Sequence, residues 1–249
     1  MAGHSKWANI KRRKGAQDAV RGKLFTKLIK EIMVAAKMGG GDLEANPRLR
    51  LAVDKAKSNS MPRDNIKRAI DKAIGNVDTT SYEEFLMEGY GPGGVAVLLE
   101  ILTDNRNRTA SEVRFAFTKG NGNLGTSGCV AYMFNRKGVL LIPGEGITEE
   151  DITMAALEAG AEDIAEDGEH WEIQSGIEEF LGIKESIAAA GFNATSAELR
   201  YIPDLMVNVE GKEAEQFVRL LELLEDCDDV QEVHHNAEIS DEELAQIVG

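Results

Sequence analysis

The residues that could do chemistry are, first, bases. Lys23, Lys27, Lys30 and Lys37 recur at helical spacing and share an arc of about 80° at 100° per residue. Lys6, Lys11, Arg12, Arg13, Lys14 and Arg21 surround them, so residues 1–37 hold ten bases against only Asp18 and Glu31. Ammonium and guanidinium groups at this density repel one another unless a polyanion or an acidic surface compensates. The chemistry on offer is phosphate contact. Two other readings stay open: a solvated helix face, and docking on the chain's own acidic part. Trp7 suits stacking on a base, and equally suits anchoring the N-terminal segment to a helical bundle.

Further candidates lie downstream. Asp104-Asn-Arg-Asn-Arg-Thr109 sits at a strand-to-helix junction. Arg106 and Arg108, with backbone N–H groups at the helix start, could hold a phosphate. Capping by Asn105 or Asn107 beside surface arginines explains the motif equally well. Gly120-Asn-Gly-Asn-Leu-Gly125 matches GxGxxG in letters only. A dinucleotide site needs the glycines between a strand and a following helix, and here a helix precedes them. Gly89–Gly94 precedes a strand and lacks GK[ST], so it is no P-loop. Flexible turns explain both, although glycines also permit close backbone approach to phosphate.

Catalytic and metal patterns are thin. His170-Trp-Glu172 is half a deaminase signature without the downstream PCxxC. His234 and His235 are adjacent on a strand and point to opposite faces. The sequence holds two cysteines, four histidines, no CxxC and no HxxxH. We therefore expect no enzyme activity, no metal site, no cofactor and no small-molecule substrate.

These side chains need elements to position them. Residues 17–38 place Leu24, Phe25, Leu28, Ile29, Ile32, Ala35 and Ala36 on one helical stripe opposite the lysines. Gly39-Gly-Gly41 ends that helix, and Asn46-Pro47 caps and starts a second. Pro62 starts a third, giving a small three-helix domain over residues 1–78. Residues 75–81 read as a turn-rich link. Beyond it, strand and helix patterns alternate and predict two β-α-β-β-α-β units. One is continuous, within 136–202. The other is split, 79–135 and 203–238, with strands at Val95–Leu102, Cys129–Phe134, Leu205–Val209 and Val230–His234. The expected class is α+β: a three-helix domain plus two ferredoxin-like domains, one inserted in the other. An acidic tail, 239–249, opens with a Ser240/Glu243 capping box.

Charge follows the same division. The 249 residues carry a net charge of -15. Residues 1–75 carry +11 and residues 76–249 carry -26. That asymmetry predicts a basic module for a polyanion on an acidic body. The longest apolar runs fall far short of the ~20 residues of a membrane helix, and no secretory h-region follows the basic start. Two distant cysteines fit a reducing compartment.

Several segments together resemble the YebC/PmpR family. They are Ala2-Gly-His-Ser-Lys-Trp-Ala-Asn-Ile-Lys11, Arg21-Gly-Lys-Leu-Phe-Thr-Lys-Leu28, Asn46-Pro-Arg-Leu-Arg50, Glu88-Gly-Tyr-Gly-Pro-Gly-Gly94, Asp104–Thr109 and Gly122-Asn-Leu-Gly-Thr-Ser-Gly128. The resemblance spans essentially the whole chain. It implies three domains, one inserted in another, and a cytoplasmic bacterial regulator of gene expression. Bacterial members are described as probable transcriptional regulators on DNA. Mitochondrial relatives are translational activators of cytochrome c oxidase subunit I, and some bacterial members look ribosome-associated. The expected partner is therefore nucleic acid: DNA, or alternatively ribosomal RNA or mRNA on the ribosome. No membrane is expected.

Overall fold

The computed structural model describes residues 17–75 and 81–248. Helices α1 (Gln17–Gly39), α2 (Pro47–Ser58) and α3 (Arg63–Ile74) form the N-terminal domain. Their core is Leu28, Ile32, Ala35 and Ala36 of α1 against Leu49, Val53 and Ala56 of α2 and Ile66, Ala69 and Ala73 of α3. Asn46 joins two helices at once. Its Oδ1 accepts from the Leu49 N–H, capping α2, while its Nδ2 donates to the carbonyls of Ala35 and Gly40 at the end of α1. Such a cap contributes about 1 kcal/mol. The predicted 75–81 link falls mostly outside the described residues.

The inserted unit follows the expected order. It runs β4 (Phe134–Pro143), α5 (Glu149–Ala159), β5 (Asp163–Asp167), β6 (His170–Ser175), α6 (Phe180–Ala189) and β7 (Ser196–Pro203). The antiparallel sheet is ordered β5-β6-β4-β7, the ferredoxin-like arrangement. Thr148 caps α5, Gly160 closes it in the left-handed conformation, and Gly168 (φ 63°) turns the β5–β6 hairpin. Helices α5 and α6 cover one face, burying Ile152, Ala156, Phe180, Ile183 and Ile187 on Leu140, Ile142 and Ile173.

The split unit reaches the same layout by a different route. Its elements are β1 (Glu83–Tyr90), β2 (Ala96–Thr103), α4 (Arg106–Lys119), β3 (Asn123–Leu124), then, after the insertion, β8 (Val207–Asn208), α7 (Gly211–Glu225), β9 (Val230–His235), β10 (Ala237–Glu238) and α8 (Asp241–Val248). The main sheet is ordered β3-β1-β2-β9 and is antiparallel throughout. The central place expected for Leu205–Val209 is taken instead by β1, which precedes β2 in sequence. Val207–Asn208 pairs only with β10, in parallel, as a separate ribbon.

Cys129–Phe134 is not a strand of this sheet either. Ala131–Met133 is a single 3-10 turn, and strand structure resumes at Phe134 as part of β4. The cause is the Glu88 carboxylate on β1. It accepts hydrogen bonds from the N–H groups of Gly128 (2.6 Å), Val130 (2.7 Å) and Ala131 (2.8 Å), withdrawing these donors from any ladder. Helices α4 and α7 pack Val113, Phe117, Phe217 and Leu221 on Val97, Leu99 and Val233, and α8 adds Leu244 and Ile247.

Candidate nucleic-acid interface

Three lysines of the α1 ladder, Lys23, Lys27 and Lys30, turn toward the acidic body rather than away from it. They meet the C-terminal end of α7, where Glu222-Leu-Leu-Glu-Asp-Cys-Asp-Asp229 concentrates five acids in eight residues. Lys23 Nζ lies 3.0 Å from Asp226 Oδ1. Lys27 Nζ donates to the Glu225 carbonyl at 2.7 Å. Lys30 Nζ donates to Asp229 Oδ1 at 2.8 Å and to the Asp228 carbonyl at 3.0 Å. Three lysines at i, i+4 and i+7 thus cap the negative end of a 15-residue helix, through its last carbonyls and its carboxylates. Of the readings open in the sequence, the structure shows docking on the acidic body for Lys23, Lys27 and Lys30.

Asp229 is the hub of this contact. Its side chain is 2% exposed. Oδ1 takes Lys30, while Oδ2 lies 2.6 Å from Arg108 Nη2, 3.0 Å from the Thr103 hydroxyl and 2.8 Å from the Thr109 hydroxyl. Burial opposes its charge, yet these donors hold its pKa down at about 2. The Asp104–Thr109 motif is therefore an anion site filled by the protein's own carboxylate. Asn105 caps α4 by accepting from the Arg108 N–H, and Arg108 also pairs with Asp104 at 2.8 Å. Arg106 leaves the hub and lies over the Phe85 ring, 4.1 Å from its centroid, with Glu83 3.6 Å away. The segment that follows the glycine-rich loop, Gly128–Ala131, repeats the pattern. Its N–H groups hold Glu88, which stays ionised below the usual carboxylate range because, against the cost of burial, three backbone donors converge on it.

Helix α2 extends the docking across both α+β units. Arg48 grips Glu31 of α1 through Nε and Nη2 (2.8 and 3.1 Å) and reaches Glu84 of β1 at 2.8 Å. Lys55 sits between Glu198 of β7 and Glu232 of β9. Burial works against the charges here, but mutual attraction prevails. Lys55 is pushed above its ordinary range, and Glu198, also paired with Arg200, is held at about 2. Asp54 takes Lys184 of α6 at 2.6 Å, and Arg50 approaches Glu185 at 3.5 Å. Between α1, α2 and the two sheets lies a cavity of about 630 Å³, walled by Leu24, Leu28, Leu51, Phe85, Ile101 and Tyr201. Polar side chains bridge the domains around it.

Further bases are exposed elsewhere on the domain. Arg21 on α1 is exposed, as are Arg63, Lys67, Arg68 and Lys72 on α3, beside Asp64 and Asp71. The α3 bases stand opposite Ile66, Ala69 and Ala73, which pack on α1 and α2. Sequence reasoning passed over them because two acids interrupt the run. The signal was the helical spacing of Arg63 with Lys67 and of Arg68 with Lys72 on a helix whose other face is apolar. Lys6, Trp7, Lys11, Arg12, Arg13 and Lys14 lie outside the described residues. Among the described residues, no group of three or more His, Cys, Asp and Glu could hold a metal ion. No helix of the described residues is long and apolar enough to cross a membrane.

Comparison with known proteins matches both parts of the chain. Residues 5–76 match the model of the TACO1/YebC protein N-terminal domain, and residues 82–237 match that of the TACO1/YebC second and third domain. Proteins named probable transcriptional regulatory protein are similar over the full length. One from Syntrophotalea carbinolica is 57% identical over 249 residues, covering 100% of both chains. One from Geobacter sulfurreducens is 53% identical over 248 residues, again covering 100% of both. The crystal structure of a conserved hypothetical protein from Aquifex aeolicus superposes with a TM-score of 0.82 at 46% identity, covering 90% of this chain and 93% of that one.

Proposed function

This chain belongs to the TACO1/YebC family, and from that premise we propose that it is a non-catalytic transcriptional regulator that binds DNA through its N-terminal domain. The observation that carries the reading is the charge division, +11 on residues 1–75 against -26 on the remainder. A body of that sign repels phosphate, so contact falls to the basic domain. Arg21, Arg63, Lys67 and Arg68 are exposed on it, and Lys6, Lys11, Arg12, Arg13 and Lys14 add five bases at its start. The relatives are named probable transcriptional regulatory proteins, which supports a regulatory role. The chain works in the cytoplasm in this reading.

A second reading has an observation in its favour. The outward bases of α3 are lysines and arginines that suit phosphates, and Asn65 is held by Arg68 rather than offered to a base edge. Backbone contact of this kind serves structured RNA as well as duplex DNA, and a translation factor on the ribosome would use it. Two experiments separate the readings. Competition between genomic fragments at ~150 mM salt reports the specificity ratio, and a ratio near one removes the DNA reading. Sedimentation of a cell lysate reports ribosome association, and co-migration that survives mild nuclease moves the role to translation. In either case Arg63→Gln/Lys67→Gln/Arg68→Gln weakens binding; unchanged affinity removes α3 from the interface.

A further inference from the structure

We propose that the acidic end of α7, Glu225–Asp229, is a built-in stand-in for phosphate that occupies the Lys23/Lys27/Lys30 face of α1, and that a bound polyanion displaces it. The proposal rests on the nucleic-acid reading and adds its regulation. The ladder already makes the contacts a phosphodiester would ask of it: ammonium groups on carboxylate oxygen and on the carbonyl oxygens of a helix end. The surface is built, and the protein's own acids hold it.

Three features make this contact reversible on the α1 side. The Lys23–Asp226 pair is open to solvent, with side chains 47% and 68% exposed. Exposed pairs of this kind are weak and screened by salt. Asp229 keeps three donors, Arg108, Thr103 and Thr109, on its other oxygen if Lys30 leaves. The freed carbonyls of Glu225 and Asp228 would be those of an ordinary helix end in water. The α2 side differs, since Lys55 is enclosed by Glu198 and Glu232. Opening would therefore pivot on α2 while α1 swings from α7. The closed form reduces apparent affinity by the fraction of molecules that are open.

The test compares the full chain with Asp226→Asn/Asp228→Asn on a 30-base-pair duplex and on a 30-nucleotide RNA. Both substitutions are at the outer end of the contact and leave Asp229 in place. A charge-matched control, Glu149→Gln/Glu150→Gln, removes two exposed acids from α5 in the inserted unit. The latch variant should bind about three- to tenfold more tightly. Its log K against log salt should keep a slope close to that of the unsubstituted chain, because the same lysines meet phosphate in both bound states. The control should change affinity by less than about twofold. Adding Lys23→Gln/Lys27→Gln to the latch variant should erase the gain. Amide exchange gives a second readout: nucleic acid should speed exchange at Asp226–Asp229 and slow it along α1. If latch variant and control bind alike, and 226–229 stays protected, the latch is refuted while nucleic-acid binding stands. If neither protein binds duplex or RNA, the nucleic-acid reading falls and the latch falls with it.

Discussion

Replacing Asp229 with asparagine tests the structural core of the domain arrangement. The substitution keeps the shape and removes one negative charge from a side chain that is 2% exposed. The carboxyl sits at about 2 in the folded protein against an ordinary 3.8, which corresponds to about 2 kcal/mol of stabilisation at neutral pH. The variant also leaves Lys30, 17% exposed, facing an amide. Breaking a buried pair by removing one partner raises the total to about 3–4 kcal/mol. At roughly 2–4 °C per kcal/mol for a chain of this size, the calorimetric Tm should fall by about 6–16 °C at pH 7. Asp226→Asn, on the same ladder but exposed, should cost under about 1 kcal/mol. The sign with pH follows from a depressed carboxyl pKa. The stabilisation is present above about 3.8 and is lost as pH falls through about 2, so wild type and Asp229→Asn should converge there. A Tm for Asp229→Asn within about 2 °C of wild type at pH 7, or equal to that of Asp226→Asn, would refute the reasoning.

Three further outcomes follow from buried groups elsewhere. Burial holds His235 neutral, at about 3 against an ordinary 6.5. Its contribution is intact above 6.5 and falls with pH below it, so stability should drop by about 2 kcal/mol between pH 7.5 and 5; urea titrations should show the drop shrinking in His235→Asn, whose Oδ1 can still accept from the Ala237 N–H. Glu88→Gln places an amide among three N–H donors and should cost about 2–3 kcal/mol, seen as faster amide exchange at Gly128, Val130 and Ala131; unchanged protection would mean the carboxylate does not organise that loop. In Gly138→Ala the new methyl would lie 2.2 Å from Phe180 Cδ2, so the inserted unit should lose about 1–3 kcal/mol by overpacking, and a neutral melt would show that Phe180 moves freely.

Local chemistry was legible in the sequence; long-range pairing was not. Asn46-Pro47, Thr148 with Gly160, and Asp167-Gly168 act within a few residues of themselves, and each ends or turns its element as its side chain requires. Strand β1 escaped because Glu84, Glu88 and Gly89 break its apolar alternation. Glu88 is buried as an anion fed by a loop forty residues away, and Gly89 is small because the Phe117 ring fills the space its side chain would need. Cys129–Phe134 has the apolar content of a strand, but its donors are claimed by Glu88. The α1 arc shows that the lysines share a face, but nothing local shows what that face meets. Its partner, Glu225–Asp229, lies about two hundred residues on.

The most direct test of the central claim is the salt dependence of binding by the full chain to duplex DNA and to RNA from ~50 to ~200 mM salt. Contact with about six phosphates through the N-terminal domain predicts a slope of log K against log salt near -5 on duplex, and a smaller slope for Arg63→Gln/Lys67→Gln/Arg68→Gln. A slope near zero, or no binding at ~50 mM salt, would contradict it.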